Sequence, residues 1–205
     1  MLAYGRAREW ISSADTLVML VKEVGAGPEI VDDNVRPAGH GDALAYARDI
    51  GTDSPRTFRA RLDDATQCWL VTEGPSLIHA SWVTSEAAWT RELRRWITPP
   101  PRAAYIYESF TKAEARGRGA YPRVLSGIVS WAAREGVERL WIAVENNNQA
   151  SLRAVTKAGF AAAYTVGYQR SWGWLSVDPA VGEMADSAGT MIRVSPPSAG
   201  SEAAT

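Results

Sequence analysis

Short apolar runs, separated by glycine, proline and charged residues, divide the chain into segments of strand and helix length. Residues 67–72 and 77–84 are two such runs on either side of a Glu-Gly-Pro turn, and they predict an antiparallel hairpin. The preceding residues 42–50 and 55–62 predict two helices, the second with Ser54 as its N-cap. This part of the chain therefore combines helices with antiparallel strands.

Apolar runs nearer the two ends of the chain predict further strands. Residues 17–24 are apolar enough for a strand or a short helix, and residues 29–36 predict the first strand of the domain. Towards the C-terminus, residues 163–169 and 171–177 predict the last two strands, arranged antiparallel. Helices and strands thus follow one another over most of the chain, which is typical of an α/β domain.

The segment at residues 85–102 is longer than a hairpin connection requires. Trp89, Leu93 and Trp96 recur in it at helical spacing, and three consecutive prolines then end the pattern. We therefore expect an inserted helix between two central strands.

The most informative pattern is a strand, a glycine-rich turn and a helix in immediate succession. The strand covers residues 104–111, and the turn reads Arg-Gly-Arg-Gly-Ala-Tyr-Pro over residues 116–122. Apolar residues at helical spacing follow from residue 124. Such a turn presents backbone N–H groups at a helix N-terminus, where the helix dipole and two arginines add positive charge. The pattern therefore predicts a binding site for a phosphate-bearing ligand.

Three types of glycine-rich phosphate loop compete for this turn. The P-loop pattern Gly-x-x-x-x-Gly-Lys-Ser/Thr does not occur in the sequence, and Pro122 stands where a dinucleotide fingerprint needs its third glycine. The third type is the Arg/Gln-x-x-Gly-x-Gly/Ala loop that binds pyrophosphate in the GNAT family of N-acetyltransferases. Arg116 and Gly119 resemble this loop, whereas Tyr121 stands where glycine or alanine is usual.

A second pattern downstream resembles the other half of the GNAT signature. A strand at residues 139–144 leads to Asn-Gln-Ala-Ser at residues 148–151, and Lys-Ala-Gly-Phe follows at residues 157–160. Asn148 suits the N-cap of a connecting helix of about three turns, and Gly159 suits the residue after its end. Because both halves occur in the right order, the chain is identified as a member of the GNAT family.

The resemblance implies an α/β fold with a mixed, twisted, mostly antiparallel sheet, two splayed parallel central strands and flanking helices. We expect this domain to span residues 29–177 and residues 1–28 to form an N-terminal extension. Residues 178–205 are rich in Ala, Ser, Gly and Pro. We therefore expect a C-terminal tail that is largely disordered from about residue 185.

In the resembled family, acetyl-CoA lies between the two splayed strands, which correspond here to residues 104–111 and 139–144. The resemblance implies that backbone N–H groups of the loop hold the pyrophosphate. It also implies that an N–H group near the end of the first strand polarises the thioester carbonyl. The expected coenzyme-binding residues are Phe110, Thr111, Arg116, Gly117, Arg118, Gly119, Ala120, Tyr121, Asn148 and Ser151.

An amine acceptor is protonated at neutral pH, so its attack on a thioester benefits from a base. Glu108 is the first catalytic candidate because it lies in an apolar strand, although it could instead face solvent or pair with an arginine. Glu145, at the end of the other splayed strand, is a weaker candidate. A β-bulge next to Glu108 would turn Tyr107 towards the site instead.

A histidine and several hydroxyl groups offer further catalytic candidates. His79 lies in a predicted strand, where it is either a base near neutral pH or a hydrogen-bonded core residue. Many members of the resembled family place a tyrosine acid, which protonates the leaving thiolate, on the helix after the asparagine. The matching residue here is Val155, so Tyr107, Ser109 and Tyr164 are candidate replacements.

The composition excludes several other classes of protein. The formal net charge is −1 and the sequence pI is about 6.2, unlike a nucleic-acid-binding protein. Two histidines and one cysteine give no metal-ligand cluster, and Cys68 lies in an apolar run that suits the core. The N-terminus lacks a signal-peptide pattern and no apolar run reaches transmembrane length, so we expect a cytoplasmic protein.

The resemblance implies transfer of an acetyl group from acetyl-CoA to a primary amine by direct attack, without a metal. Two alternatives remain open: an acyltransferase that uses a longer or carrier-protein-bound acyl donor, and a non-catalytic acyl-CoA-binding domain. Trp82, Trp89 and Trp96 are expected to line an acceptor or acyl pocket. We expect a small-molecule or peptide amine as acceptor and no nucleic-acid or membrane partner, and we leave a homodimer open.

Overall fold

The computed structural model describes residues 12–25, 32–171, 174–180 and 193–195. Within these ranges the chain forms two sheets and four α-helices. The strands are β1 (Ser12–Glu23), β2 (Val35–Pro37), β3 (Thr66–Glu73), β4 (Ser76–Thr84), β5 (Ala88–Thr90), β6 (Arg95–Thr98), β7 (Ala103–Thr111), β8 (Arg139–Glu145), β9 (Ala161–Ser171), β10 (Trp174–Ala180) and β11 (Arg193–Ser195). The α-helices are α1 (Ala43–Asp49), α2 (Pro55–Arg61), α3 (Ala120–Arg134) and α4 (Gln149–Lys157).

An eight-stranded sheet forms the centre of the fold, in the order β10-β9-β1-β8-β7-β4-β3-β2. Its neighbouring strands run antiparallel, except β7 and β8, which run parallel. The predicted hairpin is present as β3 and β4, and the last two predicted strands are present as β9 and β10. The predicted fold class, a mostly antiparallel sheet with a parallel central pair and flanking helices, is confirmed.

The two parallel strands separate part of the way along their length. Their register runs from Ala103 opposite Arg139 to Ile106 opposite Ile142. Beyond these pairs β7 continues against β4, while β8 continues against β1. The divergence opens a cleft in the sheet between the C-terminal halves of β7 and β8.

β1 lies in the middle of the sheet, between β8 and β9. It comes from the segment predicted as an N-terminal extension, and the strand alternative for residues 17–24 is the one that forms. Leu17, Met19, Leu20 and Val21 are buried, since a central strand is covered on both faces. The apolar run therefore predicts the strand, but its pairing with β8 and β9 depends on segments that are distant in sequence.

The two predicted short helices are confirmed as α1 and α2. The Ser54 hydroxyl accepts a hydrogen bond of 3.1 Å from the Thr57 N–H and so caps α2, with Pro55 in the first turn. The apolar face predicted for α3 is buried at Val124, Leu125, Ile128 and Ala132. Among the described residues, no helix is long and apolar enough to span a bilayer.

The predicted inserted helix at residues 85–102 is wrong, because β5 and β6 form an antiparallel hairpin there. Trp89 and Trp96 face each other across the hairpin with their ring centroids 5.5 Å apart, and Leu93 in the turn is buried. The sequence spacing of these three residues resembles that of a helix face. In a short hairpin, residues on the same face of the two strands and in the turn are also separated by only three or four positions.

β11 pairs with β6 and forms a three-stranded sheet together with β5. It falls within the C-terminal tail predicted to be largely disordered from about residue 185. The rest of that prediction lies outside the described residues. The predicted strand at residues 29–36 likewise begins outside them, and its end forms β2.

Apolar side chains fill both faces of the main sheet. On one face α3 packs over β3, β4 and β7, and Leu125, Ile128, Ile106 and Ile142 are buried in the apolar cluster there. On the other face α1 and α2 cover β3 and β4, and the β5–β6 hairpin covers β7 and β8. Cys68 is fully buried under α1 and α2, as predicted for a core residue.

Candidate active site

A β-bulge interrupts β7 where it separates from β8. Tyr107 pairs with Trp82 and Phe110 pairs with Ala80, so Glu108 and Ser109 together oppose Ser81 of β4. Glu108 has a φ of 47°, in the left-handed region that a residue with a side chain seldom adopts. The bulge changes the direction in which the side chains of this part of β7 point, and bulges of this kind are frequent beside active sites.

The glycine-rich turn provides an open backbone surface at the N-terminus of α3. Gly117 and Gly119 have φ values of 76° and 79°, and Gly119 is the N-cap residue of the helix. A Cβ atom at either glycine would have no neighbour within 4 Å. The space beside the first turn of α3 is therefore free for a ligand that approaches the backbone closely.

A cavity of about 630 Å³ lies beside this turn, between β7 and the start of α4. Its wall brings together most of the residues that the sequence predicts to bind coenzyme: Phe110, Thr111, Arg116, Gly117, Gly119, Ala120, Tyr121, Asn148 and Ser151. Arg118 is directed elsewhere, since its guanidinium pairs with Glu73. The Asn148 side chain accepts a hydrogen bond of 3.1 Å from the Ser151 N–H, so Asn148 is the N-cap of α4 as predicted.

A smaller cavity of about 200 Å³ occupies the opening between β7 and β8. Tyr107 and Glu108 line it, together with the hairpin residues 89–92 and residues 142–145 at the end of β8. The two cavities share Ser109, Tyr121, Asn148 and Ser151 in their walls. They therefore meet and form one cleft. We call its two parts the larger cavity, beside the glycine-rich turn, and the smaller cavity, between β7 and β8.

Glu108 is held by two arginines. Arg61 Nη1 lies 2.7 Å from Glu108 Oε2, and Arg91 Nε lies 3.7 Å from Glu108 Oε1. The Arg61 guanidinium also stacks on the Trp82 ring, 3.9 Å from its centroid, and pairs with Asp53. Although burial disfavours the charged guanidinium, Glu108 beside it raises the pKa of Arg61 above its usual value. The structure therefore shows the arginine-paired arrangement of Glu108 at the wall of the smaller cavity.

Tyr107 is half-buried between aromatic and cationic neighbours. Its ring stacks on Tyr105 with a centroid distance of 5.9 Å, and the Arg61 guanidinium lies 5.4 Å from its centroid. Burial raises the pKa of Tyr107, and Arg61 partly opposes this shift. Both faces of the bulged strand thus contribute, since Tyr107 and Glu108 line the same cavity.

His79 is 1% exposed and makes hydrogen bonds through both ring nitrogens. Nδ1 lies 2.6 Å from Thr111 Oγ1, and Nε2 lies 2.8 Å from Ser81 Oγ. The imidazole also stacks on the Tyr121 ring, with a centroid distance of 5.3 Å. Burial lowers the pKa of His79 to about 3, so the ring is neutral at physiological pH. His79 therefore has the geometry of the hydrogen-bonded core alternative, and it borders the larger cavity rather than the smaller one.

The other candidate acids and bases lie in contrasting positions. Glu145 lines the smaller cavity and accepts a hydrogen bond of 2.7 Å from the Tyr168 hydroxyl. Val155 is fully buried in the core, and Tyr164 packs against Trp141, where burial raises its pKa. In the ranges that the structure describes, no group of three or more His, Cys, Asp or Glu side chains could hold a metal ion.

Of the three tryptophans expected to line a pocket, Trp89 does so at the smaller cavity. Trp82 is fully buried beneath Arg61, and Trp96 supports Trp89 across the hairpin. Three further residues of the site, Arg61, Arg91 and Ser81, have no sequence pattern that marks them. An arginine at the end of a predicted helix gives no local sign that it reaches a strand more than forty residues away, so sequence patterns could not identify this pair.

Comparison with known proteins places this geometry in context. A model of the acetyltransferase (GNAT) family matches residues 45–160. No curated protein sequence matches the chain. The matched residues include the glycine-rich turn, β7, β8 and α4, which carry both halves of the sequence pattern described above.

Several solved structures share the fold. A GNAT-family acetyltransferase from Novosphingobium aromaticivorans superposes with a TM-score of 0.58 at 19% identity, covering 76% of this chain and 63% of that protein. A Drosophila protein gives a TM-score of 0.52 at 12% identity, covering 83% of this chain and 57% of that protein. A transcriptional regulator from Bacillus halodurans gives 0.50 at 19% identity, covering 63% and 93%. The matched region thus spans less than two thirds of the first two proteins, and at these identities the likeness concerns the fold.

Proposed function

The chain belongs to the acetyltransferase (GNAT) family, and we propose that it transfers an acetyl group from acetyl-CoA to a primary amine. The observation that best supports this function is the junction of the two cavities. A molecule bound along the glycine-rich turn can present its end to a second molecule in the carboxylate-lined smaller cavity. Group transfer between two bound substrates requires such a meeting point.

The larger cavity suits the phosphate part of coenzyme A. Backbone N–H groups and the helix dipole at the start of α3 favour a pyrophosphate, and Arg116 on the wall adds a full positive charge. Gly117 and Gly119 leave room for close approach. From there the coenzyme would extend past Phe110 and Thr111 towards the opening between β7 and β8.

The acetyl group would pass directly from sulfur to nitrogen. The amine attacks the thioester carbon, a C–N bond forms, a backbone N–H near Phe110 or Thr111 stabilises the oxyanion, and the C–S bond breaks. An acyl-enzyme on the one cysteine is disfavoured, because Cys68 is fully buried and burial raises the pKa of its thiol well above the usual value.

The smaller cavity suits a cationic acceptor. Glu92, Glu108 and Glu145 line it, against Arg91 on the same wall and Arg61 beside Glu108. This excess of negative charge favours an ammonium group. Glu108 lies nearest the bulge and is the group that we propose accepts the amine proton, with Arg61 and Arg91 holding its carboxylate in place.

The small volume of the smaller cavity favours an acetyl group over a longer acyl chain. A cavity of about 200 Å³ must hold both the acyl group and the reacting end of the acceptor. It is smaller than pockets for drug-sized ligands, which usually exceed roughly 300 Å³. Competition between acetyl-CoA and hexanoyl-CoA tests this point, and a preference for hexanoyl-CoA would support the longer-chain alternative.

The proposed function is tested by coenzyme A release with a panel of amines. Polyamines, amino sugars and peptide N-termini are each mixed with acetyl-CoA, and free thiol is measured against the background hydrolysis rate. We expect at least one class of amine to raise thiol release and to gain the mass of an acetyl group. If none does while acetyl-CoA still binds, the non-catalytic alternative is the better description.

A further inference from the structure

The junction of the two cavities contains one group suited to protonate a departing thiolate. The residues present in both walls are Ser109, Tyr121, Asn148 and Ser151. If the proposed function holds, the thioester sulfur lies at this junction, because the acyl group must meet the amine there. Of the four side chains, the phenol of Tyr121 is by far the most acidic, since aliphatic hydroxyls and amides lose a proton much less readily.

A chain of hydrogen bonds leads from Ser109, the neighbour of Tyr121 in the shared wall, into the sheet. Ser109 lies beside Tyr121 in the walls of both cavities and partly opposes the rise in the pKa of Tyr121, and Ser109 Oγ lies 2.8 Å from Ser81 Oγ. Ser81 Oγ lies 2.8 Å from His79 Nε2, and His79 Nδ1 lies 2.6 Å from Thr111 Oγ1. Thr111 returns to the wall of the larger cavity, so both ends of the chain border the cleft.

The hydrogen bonds of this chain all point in one direction. The Ser81 hydroxyl donates to Ser109, so it has no second proton to give and must accept from His79 Nε2. A neutral imidazole carries one N–H group, so Nδ1 accepts from the Thr111 hydroxyl. From Thr111 to Ser109 every donor therefore points the same way, towards the shared wall in which Tyr121 lies, and the hydrogen-bond chain is oriented to deliver a proton there.

Burial keeps the central groups of this hydrogen-bond chain out of contact with solvent and uncharged. Ser81 and His79 are 0% and 1% exposed, and the Tyr121 ring covers the imidazole by stacking on it. Burial holds the pKa of His79 at about 3 and raises that of Tyr121 to about 12, so both groups are neutral at physiological pH. A neutral imidazole with one donor and one acceptor can pass on a proton without becoming charged.

We propose that Tyr121 is the catalytic acid that protonates the leaving coenzyme A thiolate, and that Ser109, Ser81, His79 and Thr111 are positioning residues that return a proton to it. The inference rests on the proposed function. It assigns a chemical role to the residue at which the glycine-rich turn departs from the usual pattern.

The proposed step balances in atoms and charge. As the C–S bond breaks, the Tyr121 hydroxyl gives its proton to sulfur and coenzyme A leaves as a thiol. The phenolate takes a proton from Ser109, and each donor along the chain is refilled by the next, with water supplying Thr111. The ammonium acceptor gives two protons to its base and then to solvent, one before the attack and one as the amide forms. One of them balances the proton that enters at Thr111, and the other is the net proton that the reaction releases.

Two substitutions and a matched control test the assignment. Single-turnover acetyl transfer is measured by rapid quench for Tyr121→Phe and Ser81→Ala. The control is Thr84→Val, which removes another buried hydroxyl of β4 that bonds to Thr66 at 2.9 Å. We expect Tyr121→Phe to slow transfer by about 10²–10³-fold, the range of acid catalysis. Ser81→Ala, which lies outside the walls of both cavities, should slow it by about tenfold without changing KM for acetyl-CoA.

Two further measurements separate a proton chain from a structural role. A plot of the wild-type rate against the deuterium fraction of the solvent should be curved, because several protons move in the same step. The same plot for Ser81→Ala should be linear, because the hydrogen-bond chain is then broken. Nitrogen NMR should find His79 neutral and protonated on Nε2 from pH 5 to 8. If Ser81→Ala does not fold, Ser109→Ala is the substitute, because it breaks the same hydrogen-bond chain at an exposed residue.

Active wild-type protein with unchanged rates in Tyr121→Phe and Ser81→Ala would overturn the inference while leaving the proposed function intact. A proton on Nδ1 of His79 would overturn the direction of the chain, and the inference with it. Wild-type protein that binds acetyl-CoA but transfers to no amine would overturn the proposed function and this assignment together. That pattern is distinct, because the wild type itself is then inactive.

Discussion

The two cavities of the cleft are built in different ways. The larger one rests mainly on two short segments, the glycine-rich turn at residues 116–122 and the start of α4 at residues 148–151, and β4 and β7 add His79 and residues 109–111. The smaller one takes its wall from β1, the β5–β6 hairpin, β7 and β8. Backbone groups at a helix N-terminus dominate the first, and side chains from distant segments dominate the second. Coenzyme recognition therefore depends on local sequence, whereas acceptor recognition depends on the tertiary fold.

The largest expected effect comes from Glu108, which belongs to the smaller cavity. If Glu108 accepts the amine proton, Glu108→Gln should lower turnover by about two to four orders of magnitude. Affinity for acetyl-CoA should hardly change, because the glycine-rich turn is untouched. Steady-state kinetics and a coenzyme-induced thermal shift, measured on the same variant, separate the two quantities.

Asp53→Asn is the matched control for this substitution. Asp53 also pairs with Arg61, but it is not part of the wall of either cavity. Both variants remove a carboxylate from the partly buried Arg61 guanidinium, so both should lower the melting temperature. Equal turnover in the two variants would mean that Glu108 is a structural partner of Arg61, and comparison with Tyr107→Phe would then test the other face of the bulge.

The contrast between the cavities also explains how much could be predicted from the sequence. The turn, Asn148 as N-cap and the burial of α3 follow from local rules on glycine, capping and helical periodicity. The contact of Arg61 with Glu108 follows from none of them, because α2 and β7 meet only through the packing of the sheet. The spacing of Trp89 and Trp96 wrongly predicts a helix, because spacing alone cannot distinguish a turn of helix from a tight turn between strands.

The second prediction concerns Gly119, in the larger cavity. Wild-type protein at 100-fold excess of acetyl-CoA over Kd should gain about 2.7 kcal/mol, which is roughly 5–10 °C in Tm for a chain of this size. Gly119→Val should abolish this shift, since φ is 79° and the added side chain would occupy the space where the coenzyme approaches. The measurement is thermal unfolding with and without acetyl-CoA.

Gly136→Val controls for backbone strain in this experiment. Gly136 has a φ of 70°, lies just after the other end of α3 and also has open space beside it. Its substitution should lower the melting temperature of the free protein about as much, while the coenzyme-induced shift stays. A full shift in Gly119→Val would contradict the idea that backbone approach at the turn binds the coenzyme.

The third prediction concerns His79, which connects the larger cavity to the junction. Its pKa is about 3 in the folded protein, against an ordinary value of 6.5. Below pH 6.5 the unfolded chain therefore binds a proton that the folded protein does not, and stability falls as pH drops from 6.5 towards 3. At pH 5 the loss should be about 2 kcal/mol relative to pH 7.

Urea unfolding at pH 7 and pH 5 measures this loss. His79→Gln should remove most of the pH dependence, because the amide cannot take up a proton in this range. His40→Gln, which replaces an exposed histidine, should keep the wild-type dependence. The same slope in all three proteins would show that the imidazole is accessible to solvent protons, and the cleft would then be less closed than its packing indicates.

The smallest expected effect concerns the hairpin that covers the smaller cavity. Trp89 and Trp96 form one edge-to-face pair, yet Trp89 lines the cavity and Trp96 lies behind it. Trp89→Ala and Trp96→Ala remove the same aromatic contact, so their effects on Tm should be similar.

If the hairpin selects the acceptor, Trp89→Ala should raise KM for the amine by about tenfold, the effect of losing one aromatic wall, and leave KM for acetyl-CoA unchanged. Trp96→Ala should change neither constant by more than about twofold, because it acts only through its neighbour. A rise in KM for acetyl-CoA in Trp89→Ala would place the acyl group, rather than the acceptor, beneath the hairpin. The smaller cavity would then bind part of the acyl donor instead of only the acceptor.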